Sequence, residues 1–118
     1  MRSPESEAFS ILGLARRSGG VALGIPAVRR AIDAGEARLV VLARDASPTQ
    51  IRKLGRLEDR TGLRVVEVED GERLGAAMGH GPLSAAAVTR PAFADRIAEC
   101  FAGQQRGQGV ALSAAERN

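Results

Sequence analysis

Tryptophan and tyrosine are missing from the sequence, and three phenylalanines are its whole aromatic content. A surface that captures single-stranded bases by stacking needs aromatic rings, so that mode of binding is excluded. Cys100 is the only cysteine and His80 the only histidine. An internal disulfide needs two cysteines, and a zinc cage needs several Cys or His ligands, so neither is available. No metal and no cofactor are expected. No apolar run approaches the ~18 residues that a membrane-crossing helix requires. The opening Met1-Arg2-Ser3-Pro4-Glu5 has no signal-peptide core. A soluble, cytoplasmic chain with no membrane partner is the expectation.

Lysine is almost absent as well: sixteen of the seventeen basic residues are arginine, Lys53 being the exception. With fourteen acidic residues the net charge is +3, and it is unevenly spread. Residues 1–64 carry twelve basic and seven acidic groups, residues 65–118 five and seven. A basic half beside a mildly acidic one predicts an oriented field that favours a polyanionic partner. The total of 118 residues fits one core, and we read residues 1–103 as a single domain. From 104 to 118, Gln, Gly, Ser and charged residues offer little to bury, which predicts a flexible tail.

Glycine and proline punctuate the remainder regularly. Ser3-Pro4 predicts a helix cap with proline at the first position, followed by Ala8, Ile11, Leu12 and Ala15 at helical spacing. Gly19-Gly20 closes that helix. Val21–Leu23 reads as a short strand, and Gly24-Ile25-Pro26 opens a second helix that Gly35 ends. The apolar run 38–43 predicts a strand covered on both faces. Ser47-Pro48, with Gln50 three residues after the serine, predicts a capping box and a helix running to Gly62. Strands at 63–68 and 84–89 and helices at 72–78 and from Pro91 complete the series. This alternation predicts an α/β fold, a three-layer α/β/α sandwich with a central mixed four-stranded sheet.

Catalysis finds little support. Neither the phosphate-loop pattern nor a Gly-x-Gly-x-x-Gly after a strand occurs. His80 stands in a Gly79-His80-Gly81-Pro82 turn. Ser47 and Asp45 would complete a nucleophile–base–orienter set with it only on paper, because Ser47 has a capping task. Cys100 falls between Ile97 and Phe101 on an apolar helix and reads as core filler. The segment 16–30 is the better candidate. A glycine turn there leads into a helix whose free N–H groups and partial positive charge suit phosphate. Gly24 permits close backbone approach, and Arg29 and Arg30 follow it.

At these residues the chain resembles the kink-turn RNA-binding ribosomal proteins of the L-seven-Ae class, most of all their bacterial YlxQ-like branch. The resemblance rests on Gly24 through Pro48, on Leu12-Gly13-Leu14-Ala15-Arg16-Arg17-Ser18-Gly19 before it and on Leu74-Gly75-Ala76-Ala77-Met78-Gly79 after it. It runs from about Ser6 to Phe101. It implies a sandwich fold without enzymatic activity that binds structured RNA, ribosomal RNA included, with ribosome-associated proteins as further partners. The class pattern Gly-x-Asn-Glu-x-x-Lys places its glycine on Gly24 and its lysine on Arg30. Pro26 and Ala27 fall on the Asn and Glu positions, and neither can hydrogen-bond a guanine edge. Each lost base contact costs about 1–3 kcal/mol of discrimination, so weakened or altered kink-turn specificity is expected. Gly20 stands where relatives often have lysine. A further apolar contact to an extruded nucleotide maps to Pro82, Leu83 and Ser84. The expected RNA-binding set is therefore Arg17, Gly19, Gly20, Gly24, Ile25, Pro26, Ala27, Arg29, Arg30, Pro82, Leu83 and Ser84. The alternative is a protein-interaction module on the same fold, with Ile25-Pro26-Ala27-Val28 as an apolar patch.

Overall fold

A computed structural model describes residues 3–57, 60 and 62–102. Its elements are α1 (Pro4–Arg17), β1 (Val21–Leu23), α2 (Ile25–Asp33), β2 (Leu39–Ala43), α3 (Pro48–Arg52), β3 (Arg64–Val68), α4 (Gly71–Ala76), β4 (Ala85–Val88) and α5 (Pro91–Cys100). The tail expected at 104–118 lies outside the described residues. The sheet has the order β1-β4-β2-β3. Strands β2 and β3 are parallel, while β4 is antiparallel to both β1 and β2. Strands β1 and β2 therefore point the same way, and α2 is the crossover that carries the chain past β4.

Alternation along the strands divides the core into two layers. Leu39, Val41, Ala43, Val66, Val68, Ala86 and Val88 face α1, α4 and α5. Val40, Leu42, Ala85 and Ala87 face α2 and the segment from Ile51 to Leu57. Helices cover both faces, so β2 is buried along its whole length, as its continuous apolar run requires. Phe101, Leu12, Leu74 and Ile97 are among the largest fully buried side chains. Each contributes about 1.5–3 kcal/mol by leaving water.

Local chemistry sets the helix ends. The Ser3 hydroxyl accepts from Ser6 N–H at 3.0 Å, and Ser47 accepts from Gln50 N–H at 3.2 Å. In helix α4, Asp70 caps by accepting from Arg73 N–H at 2.7 Å. Helix α3 is shorter than expected. It ends at Arg52 rather than near Gly62, because Gly55 turns the chain with φ 85°. Leu54 and Leu57 still reach the core from the turn beyond it. Helix α1 ends in paired backbone bonds, from Gly19 N–H to the Arg16 carbonyl and from Gly20 N–H to the Ala15 carbonyl, the geometry a left-handed glycine permits.

Helix α4 lies hard against the segment that precedes β4. A Cβ on Gly71 would strike the Leu83 carbonyl, and one on Gly75 would strike the Gly81 carbonyl. Leu83 N–H also donates to the Gly71 carbonyl at 3.0 Å. These contacts fix the position of residues 79–84.

Candidate nucleic-acid interface

Strand β1 is a sheet edge, and the expected site residues gather at its two ends. At the far end Leu23 pairs with Ala86, and Gly24 N–H donates to the Ala85 carbonyl at 3.0 Å. That bond brings the start of α2 beside the 79–84 segment. Gly24 has φ 87° and ψ 160°, a conformation open only to glycine. Its carbonyl accepts from Val28 N–H at 2.9 Å and so starts the helix. No side chain caps α2, and its first turn carries no acidic residue. Among the described residues, Ile25 N–H and Ala27 N–H have no acceptor. Pro26 has no N–H to offer.

At the near end, Val21 pairs with Val88, and Thr89 N–H donates to the Gly20 carbonyl. Four residue steps separate Gly20 from Gly24, about 13 Å of extended chain. The candidate segment 16–30 is thus drawn out as a strip along the edge strand β1. Helix α2 doubles back over this span. Arg30 lies six residues beyond Gly24, about 9 Å along the helix axis, and returns toward the near end. It is exposed, and among the described residues it has neither an ion pair nor a hydrogen bond. The same holds for Arg16 and Arg17, in the last turn of α1.

The structure limits how far five of the expected contributors are available. Arg29 is engaged elsewhere: its Nε meets Asp33 at 2.9 Å and its Nη1 donates to the Lys53 carbonyl at 2.6 Å. Asp33 holds Arg60 as well, at 3.1 Å. Arg29 thus ties α2 to α3. Leu83 is buried in the core, only 6% exposed, and offers no apolar contact to a nucleotide. Pro82 beside it is exposed, while Ser84 is half-buried with its carbonyl taken by Ala43 N–H. Ile25 is buried, as is Val28, which removes the apolar patch needed for a protein-interaction module at that helix start. Gly20 is buried too, and both its backbone groups are occupied. Gly19, Pro26 and Ala27 remain open or partly open at the surface.

Sequence reasoning missed Arg90. Its aliphatic stem lies over Gly20, so that a Cβ there would stand 3.0 Å from Arg90 Cγ. Its Nη2 donates to the Ser18 carbonyl at 2.8 Å. An arginine seventy residues away from a glycine gives no local signal of this contact.

The groups considered for catalysis are occupied separately. Ser47 caps α3, the Asp45 carboxylate accepts from Gly71 N–H at 2.9 Å, and the His80 ring lies exposed against the Gly81 carbonyl. Cys100 is half-buried, with Sγ on the Arg96 carbonyl at 3.4 Å. Burial pushes its thiol above the usual range, and the Glu7 charge adds to that. Among the described residues no cluster of His, Cys, Asp or Glu could hold a metal ion. No helix there is long and apolar enough to cross a membrane.

A two-layered core around a mixed β1-β4-β2-β3 sheet, with a glycine-started crossover helix at its edge, defines a recognisable class. The chain belongs to the ribosomal protein L7Ae/L30e/S12e/Gadd45 family, whose pattern matches residues 6–98. The resemblance read from the sequence is therefore borne out at family level. The large ribosomal subunit protein eL8 of Haloquadratum walsbyi is 38% identical over 82 residues, covering 69% of this chain and 68% of its own. That of Halobacterium salinarum is 38% identical over 84 residues, covering 70% of each. Among solved structures, a Bacillus halodurans protein of unknown function superimposes with a TM-score of 0.71 at 28% identity, covering 80% of this chain and 96% of its own. The Giardia lamblia 15.5kD RNA binding protein gives 0.70 at 23% identity over 85% and 86%, a likeness of fold.

Proposed function

We propose that the protein binds structured RNA, of the ribosomal class, through the strip along β1. The uncapped start of α2 supplies N–H groups and a partial positive charge to phosphate. Gly24 leaves room for a nucleic-acid backbone to approach, since nothing lies within 4 Å of where its Cβ would stand. Arg30 supplies a fork of donors for a phosphate or a guanine edge. Arg17, Gly19 and Pro82 border the strip. The observation that carries the reading is the unpaired Arg30 on an uncapped crossover helix, in a chain of this ribosomal family.

Pro26 and Ala27 set the specificity. They have no side-chain donor or acceptor for a base edge, so backbone contacts and cations carry the binding, and discrimination among kinked RNAs is weakened. The test compares a kink-turn RNA with a variant lacking its sheared G·A pairs, titrated against the wild type and Arg30→Ala. Affinity is expected to fall steeply with salt, to differ little between the two RNAs and to drop in Arg30→Ala. Binding that hardly changes between low and physiological salt refutes the electrostatic reading. Strong discrimination between the RNAs refutes the assignment to Pro26 and Ala27.

A further inference from the structure

We infer that Arg90 is a second phosphate-contacting residue, which holds the RNA backbone at the Gly20 end of β1, about 13 Å of extended strand from Gly24. This rests on the RNA-binding reading and extends its footprint to an end of the strip where Arg90 had no assigned part.

Three observations carry it. The Arg90 stem occupies the space above Gly20 that a side chain at position 20 would fill. The guanidinium is thereby fixed at the strip instead of sweeping through solvent. Its bond to the Ser18 carbonyl uses one donor; a guanidinium has five, and Arg90 is exposed. Among the described residues no carboxylate pairs with it, in contrast to Arg29, Arg44, Arg60, Arg64 and Arg73. Arg16 and Arg17, at the α1 terminus that Arg90 braces, are likewise without a carboxylate partner. The near end of β1 thus has the unneutralised guanidinium of Arg90 over Gly20 and Arg16 in the adjoining last turn of α1, while Arg17 Nη1 reaches back to 3.8 Å from where a Gly13 Cβ would stand. A phosphodiester backbone has the charge and the oxygen acceptors to fit them.

The experiment measures binding of a kink-turn RNA across a salt series for the wild type, Arg90→Gln, Arg90→Lys and Arg30→Ala, with thermal melting of each. Losing one phosphate contact lowers the slope of log K against log salt by about 0.7–0.9, which is about a fivefold loss of affinity near 0.15 M salt. Arg90→Gln is expected to show that loss equally for the kinked RNA and its G·A-less variant. Arg90→Lys, which keeps a charge on an aliphatic stem, is expected to retain most of the slope. An Arg90→Gln protein with an unchanged slope, while Arg30→Ala lowers it, overturns the inference and leaves the RNA-binding reading standing. In that outcome Arg90 is a brace for α1, and melting alone moves. Absence of RNA binding by the wild type overturns both.

Discussion

Replacing Gly24 with alanine tests the turn on which the candidate interface depends. The added methyl group meets nothing within 4 Å, so any cost is conformational. Two routes are open to the variant. It can keep φ 87° and ψ 160°, a region other residues avoid, at about 1–3 kcal/mol. It can instead rotate away and forfeit the bonds from Gly24 N–H to the Ala85 carbonyl and from Val28 N–H to the Gly24 carbonyl. At about 0.5–1.5 kcal/mol each, that loss is again about 1–3 kcal/mol. The two routes agree on stability and part on binding. A strained but unmoved turn leaves the α2 terminus in place, whereas a rotated one displaces it and weakens RNA binding at temperatures where the protein stays folded. Urea denaturation gives the stability change, and a melting shift of at least 4 °C is expected at about 4–8 °C per kcal/mol. A Gly24→Ala protein as stable as the wild type refutes the reasoning, because it would show that neither the dihedral angles nor the two bonds constrain this turn.

The other expectations are more local. Arg29→Ala should leave the salt dependence of RNA binding unchanged and cost at most about 1 kcal/mol, the scale of an exposed ion pair, by urea denaturation. Asp70→Ala removes the α4 cap and should cost about 0.5–2 kcal/mol, with faster amide exchange in α4 as the local readout. Leu74→Ala, at a fully buried position, should cost about 2–5 kcal/mol by the same denaturation. Burial raises the Cys100 thiol above the usual range, so a thiol reagent at pH 8 should label it more slowly than an unfolded peptide containing it. Because the raised value belongs to the folded state, its contribution to stability is complete below the unfolded thiol's value and is lost as pH rises through the folded one.

The sequence was most informative where the cause of structure is local. Ser3-Pro4 and Ser47-Pro48 announce helix starts because hydroxyl, proline and the N–H it serves lie within four residues. The run 39–43 announces a strand buried on both faces because neither face has a polar residue. Gly35 and Gly79 announce ends because only a left-handed residue closes those turns. Helix α3 was over-extended because Ile51, Leu54 and Leu57 keep helical spacing, although Gly55 breaks the backbone between them. The Asp70 cap has no distinct signal, because Glu67 and Glu69 stand just before it and an acidic run at a strand end does not mark which carboxylate caps the next helix. The exposure of Leu83 was misjudged because its burial depends on α4 packing against residues 81–83, which only two buried glycines permit.

Charge was the least legible property, since a guanidinium reaches several residues' distance and its partner is chosen by the fold. Arg29 and Arg30 are adjacent in sequence and equally basic. One turns toward α3 and is held by Asp33 and the Lys53 carbonyl; the other projects unpaired. Composition counts them alike, yet a salt titration of RNA binding should register only the second. The same reasoning applies at the Gly20 end. There the absence of a side chain just before β1 makes room for the stem of Arg90, which follows β4, so a position that looks vacant in the sequence lies beneath a cation. The proposed footprint of the strip therefore follows from the pairing of β1 with β4, and a substitution at residue 90 is expected to alter it without touching β1 itself.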